Sequence, residues 1–157
     1  MPIGELSHKL IDGPMELEDH VFFLCTQVVY RRDRLMQEVL KPVGLLSTEY
    51  RVLSAVLRKG PLPMQDLAQW TAYERTRVTH ILHGMEDKGW VERTSSDSDR
   101  RAVLVRIAPK GAALFKKAKA EVDKITDQIL AEHSEEDIAH LRRTLRALRG
   151  KLIEMEG

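Results

Sequence analysis

A group of side chains between positions 75 and 101 has the types and spacing needed to hold a polyanion. Arg75, Thr76, Arg77, Thr79, His80 and His83 crowd into one short stretch, and Arg100 and Arg101 follow in a polar run. Guanidinium and imidazole groups pair with phosphate oxygens, and hydroxyl and guanidinium groups also bond to base edges. The chemistry that suits this set is nucleic-acid recognition. Asp97 and Asp99 stand beside the two later arginines and are read as orienting that turn. An acid/base pair of carboxylates needs a buried, apolar setting to separate their pKa values, and a polar turn does not offer one. His80 and His83 have an i, i+3 spacing from which two imidazoles can reach one metal. No cysteine accompanies them and both belong to the cationic set, so no metal is assigned. The chain has no P-loop, no dinucleotide-binding glycine fingerprint and no His-Glu-x-x-His. Neither a cofactor nor an enzymatic activity is implied.

Positioning these groups calls for a helix followed by a hairpin. Val78, Ile81, Leu82 and Met85 recur at i, i+3, i+4 and i+7, one stripe of a helix. At about 100° per residue, Thr76, Arg77, Thr79, His80 and His83 then face the other way. Glu74 suits the N-terminal end of the helix dipole, and Gly89 the place just past the C-terminus. Residues 90–93 and 102–107 are short and β-prone, with Val103, Val105 and Ile107 alternating against Leu104 and Arg106. The run TSSDSDRR between them has no apolar anchor. A hairpin directly after such a helix, with Arg100 and Arg101 near its tip, has the geometry of a wing that reaches a narrow minor groove.

The run VTHILHGMEDKGWVERTSSDSDRRAVLVRIAPKG resembles the winged helix-turn-helix of the MarR family of bacterial transcriptional regulators. The specific elements are VT-x5-ME-x-KGWVER and D-R-R-x-V-L-V-x-I-x-P-K-G, with a weaker match over roughly residues 17–148. The resemblance implies a mainly α fold with a small β-hairpin, built as an intertwined homodimer with N- and C-terminal dimerisation helices. It also implies a pseudo-palindromic operator in double-stranded DNA, most often under repression. Proteins of this kind take small, often aromatic or phenolic, anionic effectors between the dimer helices and the reading head. His20, Phe23, Tyr30, Arg34 and Tyr50 are the candidates to line such a pocket. One departure is Ala108, where the family commonly carries a threonine able to cap the next helix. A branch of the family senses organic peroxides through a cysteine on its first helix. The neighbours of Cys25 (Phe22, Phe23, Leu24 and Thr26) supply little to activate a thiol, so redox sensing is the alternative reading. A protein-interaction module without DNA binding is another.

The remaining chain supplies a frame for the reading head. Residues 1 to about 16 read as an irregular arm. Val21, Leu24, Val28, Leu35 and Val39 predict a helix over about 17–41, which Pro42 ends. Ser47 is the expected N-cap of a helix over 48–58, and Gly60-Pro61-Leu62-Pro63 is a breaker cluster. A short helix over 64–70 and a turn at 71–73 then complete a helix-turn-helix, with Trp70 expected in the core or packing the turn. Pro109 starts a long helix with Leu114 or Phe115, Ala118, Val122, Ile125 and Ile129 on its buried side. Ser134 and Asp137 cap the last helix. Its Ile138, Leu141, Leu145, Leu148 and Leu152 form a seam that predicts a partner subunit. The organisation expected is 1–45 as arm and dimerisation helix, 46–108 as winged helix-turn-helix and 109–157 as C-terminal dimerisation helices, within one structural domain.

Composition agrees with a helix-rich globular domain: of 157 residues, 43% are hydrophobic, 31% charged and 5% aromatic. The net charge of +1 gives no global nucleic-acid signal. The lone Cys25 leaves no intrachain disulfide and fits a reducing compartment. The N-terminal stretch lacks the basic-then-apolar layout of a secretion signal, and no apolar run approaches the roughly 20 residues of a membrane span. The expectation is a cytoplasmic protein with no membrane partner.

Overall fold

The computed structural model describes residues 16–95 and 103–157 of the chain. It forms two compact units, one reaching Glu121 and the other running from Val122 to Gly157. In the first, a 3-10 turn at Leu17–Asp19 leads into α1, Val21–Leu40, and a second 3-10 turn spans Lys41–Val43. Helix α2 follows at Ser47–Lys59, strand β1 at Leu62–Pro63, α3 at Met64–Thr71 and α4 at Arg75–Asp87. Strands β2, Val91–Ser95, and β3, Val103–Ile107, precede α5, Pro109–Leu130, whose later turns belong to the second unit with α6, Glu135–Glu156. The expected mainly α fold with a small β element is what the chain adopts. Among the described residues no helix is long and apolar enough to cross a membrane.

The sheet holds one strand more than the sequence announced. Its order is β1-β3-β2, antiparallel throughout, with Leu62 opposite Val105 and Val91 opposite Ile107. Strand β1 comes from the Gly60-Pro61-Leu62-Pro63 cluster. A proline cannot donate to a ladder, but at the edge of a sheet it need not. Leu62 thereby reaches the core at 4% exposure.

Helix ends account for two further differences. Ser47 is the first residue of α2 and Leu46 takes the cap position. The Leu46 N–H donates to the Glu49 carboxylate at 2.9 Å, and the Ser47 N–H donates to Gln37 Oε1 of α1 at 3.1 Å. Glu49 of the helix's own first turn and Gln37 of α1 satisfy these amides, so the serine hydroxyl is not needed as a cap. Trp70 is 47% exposed instead of buried, with the Lys59 ammonium 4.4 Å from its ring centroid. Its indole packs under a cation at the surface.

The end of α4 follows the expected pattern. Gly89 adopts φ +75°, the Gly89 N–H donates to the Glu86 carbonyl and the Trp90 N–H to the Met85 carbonyl. This is a Schellman motif, and it turns the chain directly into β2. At the far side of the hairpin, the Ala108 N–H donates to the Trp90 carbonyl at 3.0 Å. Gly111 lies so close to that carbonyl that a Cβ there would overlap it. The root of the hairpin is thus sealed to the first turn of α5 without a threonine at 108.

The core of the first unit gathers Leu40, Val52, Leu53, Leu67, Val78, Leu82, Met85 and Val105, each 0% exposed. Along α5, Phe115, Ala118 and Val122 are buried, whereas Ile125 is half-buried and Ile129 is 45% exposed. In α6, the Asp137 N–H donates to Ser134 Oγ at 3.1 Å and the Ser134 N–H donates to the Asp137 carboxylate at 3.2 Å, a reciprocal capping box.

Candidate nucleic-acid interface

Helix α4 has two faces set by its 3.6-residue repeat. Val78, Leu82 and Met85 are wholly buried, and burying each side chain stabilises the unit by about 1.5–3 kcal/mol. The other face is fixed outward as a consequence. Arg75, Thr76, Arg77, Thr79, His80 and His83 are all exposed. All of them except Arg77 line one shallow concavity on the surface. The Thr79 hydroxyl donates to the Arg75 carbonyl at 2.9 Å, which leaves its oxygen lone pairs facing out as acceptors. The Arg77 guanidinium instead lies over the Tyr73 ring, 4.4 Å from its centroid. The helix N-terminus adds partial positive charge at the end where Arg75 and Thr76 sit.

Ion pairs tie this helix to its surroundings. Arg93 of β2 donates from Nε to Glu86 at 2.6 Å, and its Nη2 lies 3.4 Å from His83 Nδ1. The hydrogen bond from Arg93 holds the Glu86 carboxyl below the usual carboxylate range. Arg106 pairs with Glu92 across the hairpin at 2.8 Å. Lys88, just past α4, reaches the buried carboxylate of Glu49 at 3.2 Å and lies over the Trp90 ring. The start of α2, the end of α4 and the root of the hairpin are therefore linked. Arg100, Arg101, Asp97 and Asp99 lie outside the described residues.

The five candidate pocket residues are not gathered into one cavity. His20 and Phe23 are half-buried, while Tyr30 and Arg34 are exposed and face each other, with the guanidinium 5.8 Å from the ring centroid. Tyr50 stacks on Phe115 with centroids 5.0 Å apart. A cavity of about 370 Å³ does lie between α1, α2 and α3, within the size range of small-molecule sites. Its lining includes Tyr50 together with Arg32, Asp33, Met36, Arg51, Arg58 and Trp70. Helical phase explains the mismatch, because Phe23, Tyr30 and Arg34 share a stripe about 120–160° from Met36. The signal that would have found the cavity is the polar stripe Ser47, Tyr50, Arg51, Ser54 and Arg58, which recurs at helical spacing along α2.

Cys25 is half-buried on α1. Among the described residues no three His, Cys, Asp or Glu side chains come together as a metal site. In α6, Ile138 and Leu148 are half-buried and Leu141, Leu145 and Leu152 are 52%, 44% and 52% exposed. No residue of that helix is buried.

Comparison with known proteins supplies the context. The model of the MarR family matches residues 43–102. The chain is similar to the multiple antibiotic resistance protein MarR of Salmonella typhimurium, 31% identical over 91 residues, which is 58% of this chain and 63% of that protein. The chain thus spans a little under two thirds of that relative's length. Among solved structures, CouR from Rhodococcus jostii bound to p-coumaroyl-CoA superposes with a TM-score of 0.78 at 24% identity, covering 85% of this chain and 94% of that one. A mutant MarR from Escherichia coli complexed with operator DNA gives 0.72 at 24% identity, covering 85% and 99%. At that identity the likeness carries the fold.

Proposed function

We propose that the chain, similar over residues 43–102 to the MarR family, is a homodimeric, sequence-specific DNA-binding transcriptional regulator of that family, a repressor released by a small aromatic or anionic ligand. The observation that carries this reading is the two-faced α4. On its apolar side Val78, Leu82 and Met85 are wholly buried and Ile81 is half-buried, so its guanidinium, hydroxyl and imidazole groups are held outward on a rigid element. A helix about 10–12 Å across fits a major groove about 12 Å wide. Arg75, Thr76, Arg77, Thr79, His80 and His83 meet base edges and phosphates there. In the wing, Arg101 enters the minor groove and Arg100 takes a phosphate, with Asp97 and Asp99 orienting the tip. Two copies joined through Ile138, Leu141, Leu145, Leu148 and Leu152 place two reading helices on a pseudo-palindromic operator, with half-sites roughly 10 base pairs apart.

The ligand belongs in the cavity between α1, α2 and α3, where Arg32 and Arg58 offer charge and Tyr50 and Trp70 offer flat apolar surface. A solved neighbour that holds p-coumaroyl-CoA supports a ligand-responsive reading. The ligand acts by preferring a dimer whose reading helices no longer match the operator spacing, since only differential affinity shifts a population.

Fluorescence anisotropy with DNA from upstream of the protein's own coding sequence tests the assignment. Arg101→Ala is expected to weaken binding and to lower the slope of log affinity against log salt by about 1, because one cationic contact that releases counterions from the DNA is lost. An unchanged affinity and slope would remove the wing from the interface. Aromatic acids that raise the melting temperature should release the DNA, and a binder that leaves the complex intact would refute the coupling.

A further inference from the structure

Tyr73 occupies the turn between α3 and α4, and two cations share its ring. The Arg77 guanidinium lies 4.4 Å and the Arg51 guanidinium 4.8 Å from the ring centroid. Arg77 belongs to the reading helix and Arg51 to α2. Arg51 Nη2 donates to both carboxylate oxygens of Asp33 in α1, each at 3.1 Å, while Nη1 reaches the Thr71 carbonyl at 3.5 Å. The turn itself is set by Ala72 at φ +59° and by the Thr71 hydroxyl, which donates to the Leu67 carbonyl at 2.8 Å.

Two guanidinium groups over one ring repel each other, and the ring quadrupole attracts both. The arrangement holds because Asp33 neutralises one of them. With the carboxylate in place Arg51 behaves as half of a neutral pair, and the ring remains an attractive seat for Arg77. Without it, an uncompensated Arg51 competes for the ring and pushes Arg77 away. The burial of the Tyr73 hydroxyl raises its pKa, against the opposing pull of Arg51 and Arg77, so the ring stays neutral under ordinary conditions.

We propose that Asp33 and Arg51 are a positioning pair for the reading helix: through the Tyr73 ring they fix where the Arg77 guanidinium sits, without touching DNA themselves. The inference rests on the regulator reading above and adds to it a route from the first helix to one DNA-facing side chain. It makes the identity of the residue at 33 a determinant of operator affinity although that residue is in α1.

Two measurements on the full-length protein test it. In NMR, the Arg77 Nε–H resonance should carry a ring-current shift that disappears in Tyr73→Leu and moves in Asp33→Asn. In anisotropy titrations, Arg77→Ala should weaken operator binding by about tenfold. Asp33→Asn and Tyr73→Leu should each weaken it about threefold, with Tyr73→Phe recovering most of the loss. Neither Asp33→Asn nor Tyr73→Leu should weaken binding further once Arg77 is alanine, a non-additivity that general destabilisation does not produce. Melting temperatures close to the parent's keep the comparison valid. An Arg77 resonance indifferent to Asp33→Asn, or losses that add fully in the double variants, would overturn the positioning pair. A parent that binds no DNA while its Arg77 resonance still follows Asp33→Asn would sink the regulator reading and leave the linkage standing.

Discussion

Helices α4 and α6 both space their apolar residues by threes and fours, yet Val78, Leu82 and Met85 of α4 are 0% exposed while no residue of α6 is buried. The difference lies in what the rest of the chain offers each helix. Around α4, helices α2 and α3 and the hairpin close a core, and that core fixes which side faces out. Around the α6 seam, Leu141, Leu145 and Leu152 keep about half of their surface in water. A row of half-exposed leucines is the kind of apolar patch that a partner can cover. In the regulator reading a second copy covers it. The pattern of a helix gives its apolar face, and only the surroundings decide whether that face is completed within the protomer or between protomers.

This comparison is broken most severely from the α4 side. Leu82→Ala should cost about 2–5 kcal/mol of unfolding free energy, since a wholly buried side chain leaves a cavity behind. A denaturant melt showing less than 1 kcal/mol would mean that α4 is not held by this core. Leu145→Glu attacks the other region. Its protomer fold should survive, read as unchanged far-ultraviolet circular dichroism at high protein concentration, whereas sedimentation should change from dimer to monomer and operator affinity should collapse with it. A variant that still sediments as a dimer would deny the seam its role.

Smaller changes sharpen the contrast. Ser134→Ala removes the reciprocal cap of α6 and should lower stability by about 1 kcal/mol. The carboxyls of Asp137 and Glu86 supply an acid-sensitive component in each region. Hydrogen bonds from the Ser134 backbone and hydroxyl hold Asp137 below its ordinary value, and Arg93 does the same for Glu86. A depressed folded-state pKa contributes stability that is fully present above the unfolded value near pH 4 and is lost as pH falls through the folded value. Both contributions should therefore be intact at pH 6 and fade below about pH 4. The Asp137→Asn and Glu86→Gln variants should each show a flatter acid limb. Acid limbs identical to the parent's would show that neither bond is tighter in the folded state.

Legibility in the sequence divided along the same line. Elements with a local cause were readable. The apolar stripe of α4, the glycine that ends it, the proline that opens α5 and the Ser134–Asp137 box all act over a few residues. What escaped depended on distant partners. Strand β1 exists because β3 lies beside it, which a proline-rich tetrapeptide does not announce. The α2 cap is filled by Gln37 of α1 and by Glu49, so the plausible serine at 47 misled. Of the two places the sequence allows Trp70, the core or the turn, the core is excluded, because the Lys59 side chain makes a surface site for it. The candidate pocket was the least legible part, because a cavity between three helices depends on their mutual rotation. Of the candidate residues, Phe23, Tyr30 and Arg34 share a stripe of α1 turned away from Met36 and only Tyr50 lines the cavity, while Asp33 and Arg51 went unnoticed although they sit at the junction of the cavity wall and the Tyr73 turn.

The most direct test of the central claim is an anisotropy titration of labelled upstream DNA at several salt concentrations, comparing the parent with Arg75→Ala and Thr76→Ala. The account predicts one dimer per duplex and an affinity that falls with salt. Both variants should lose about tenfold, and only Arg75→Ala should flatten the salt slope. An affinity indifferent to both substitutions would contradict the assignment of the outward face of α4 as the surface that reads DNA.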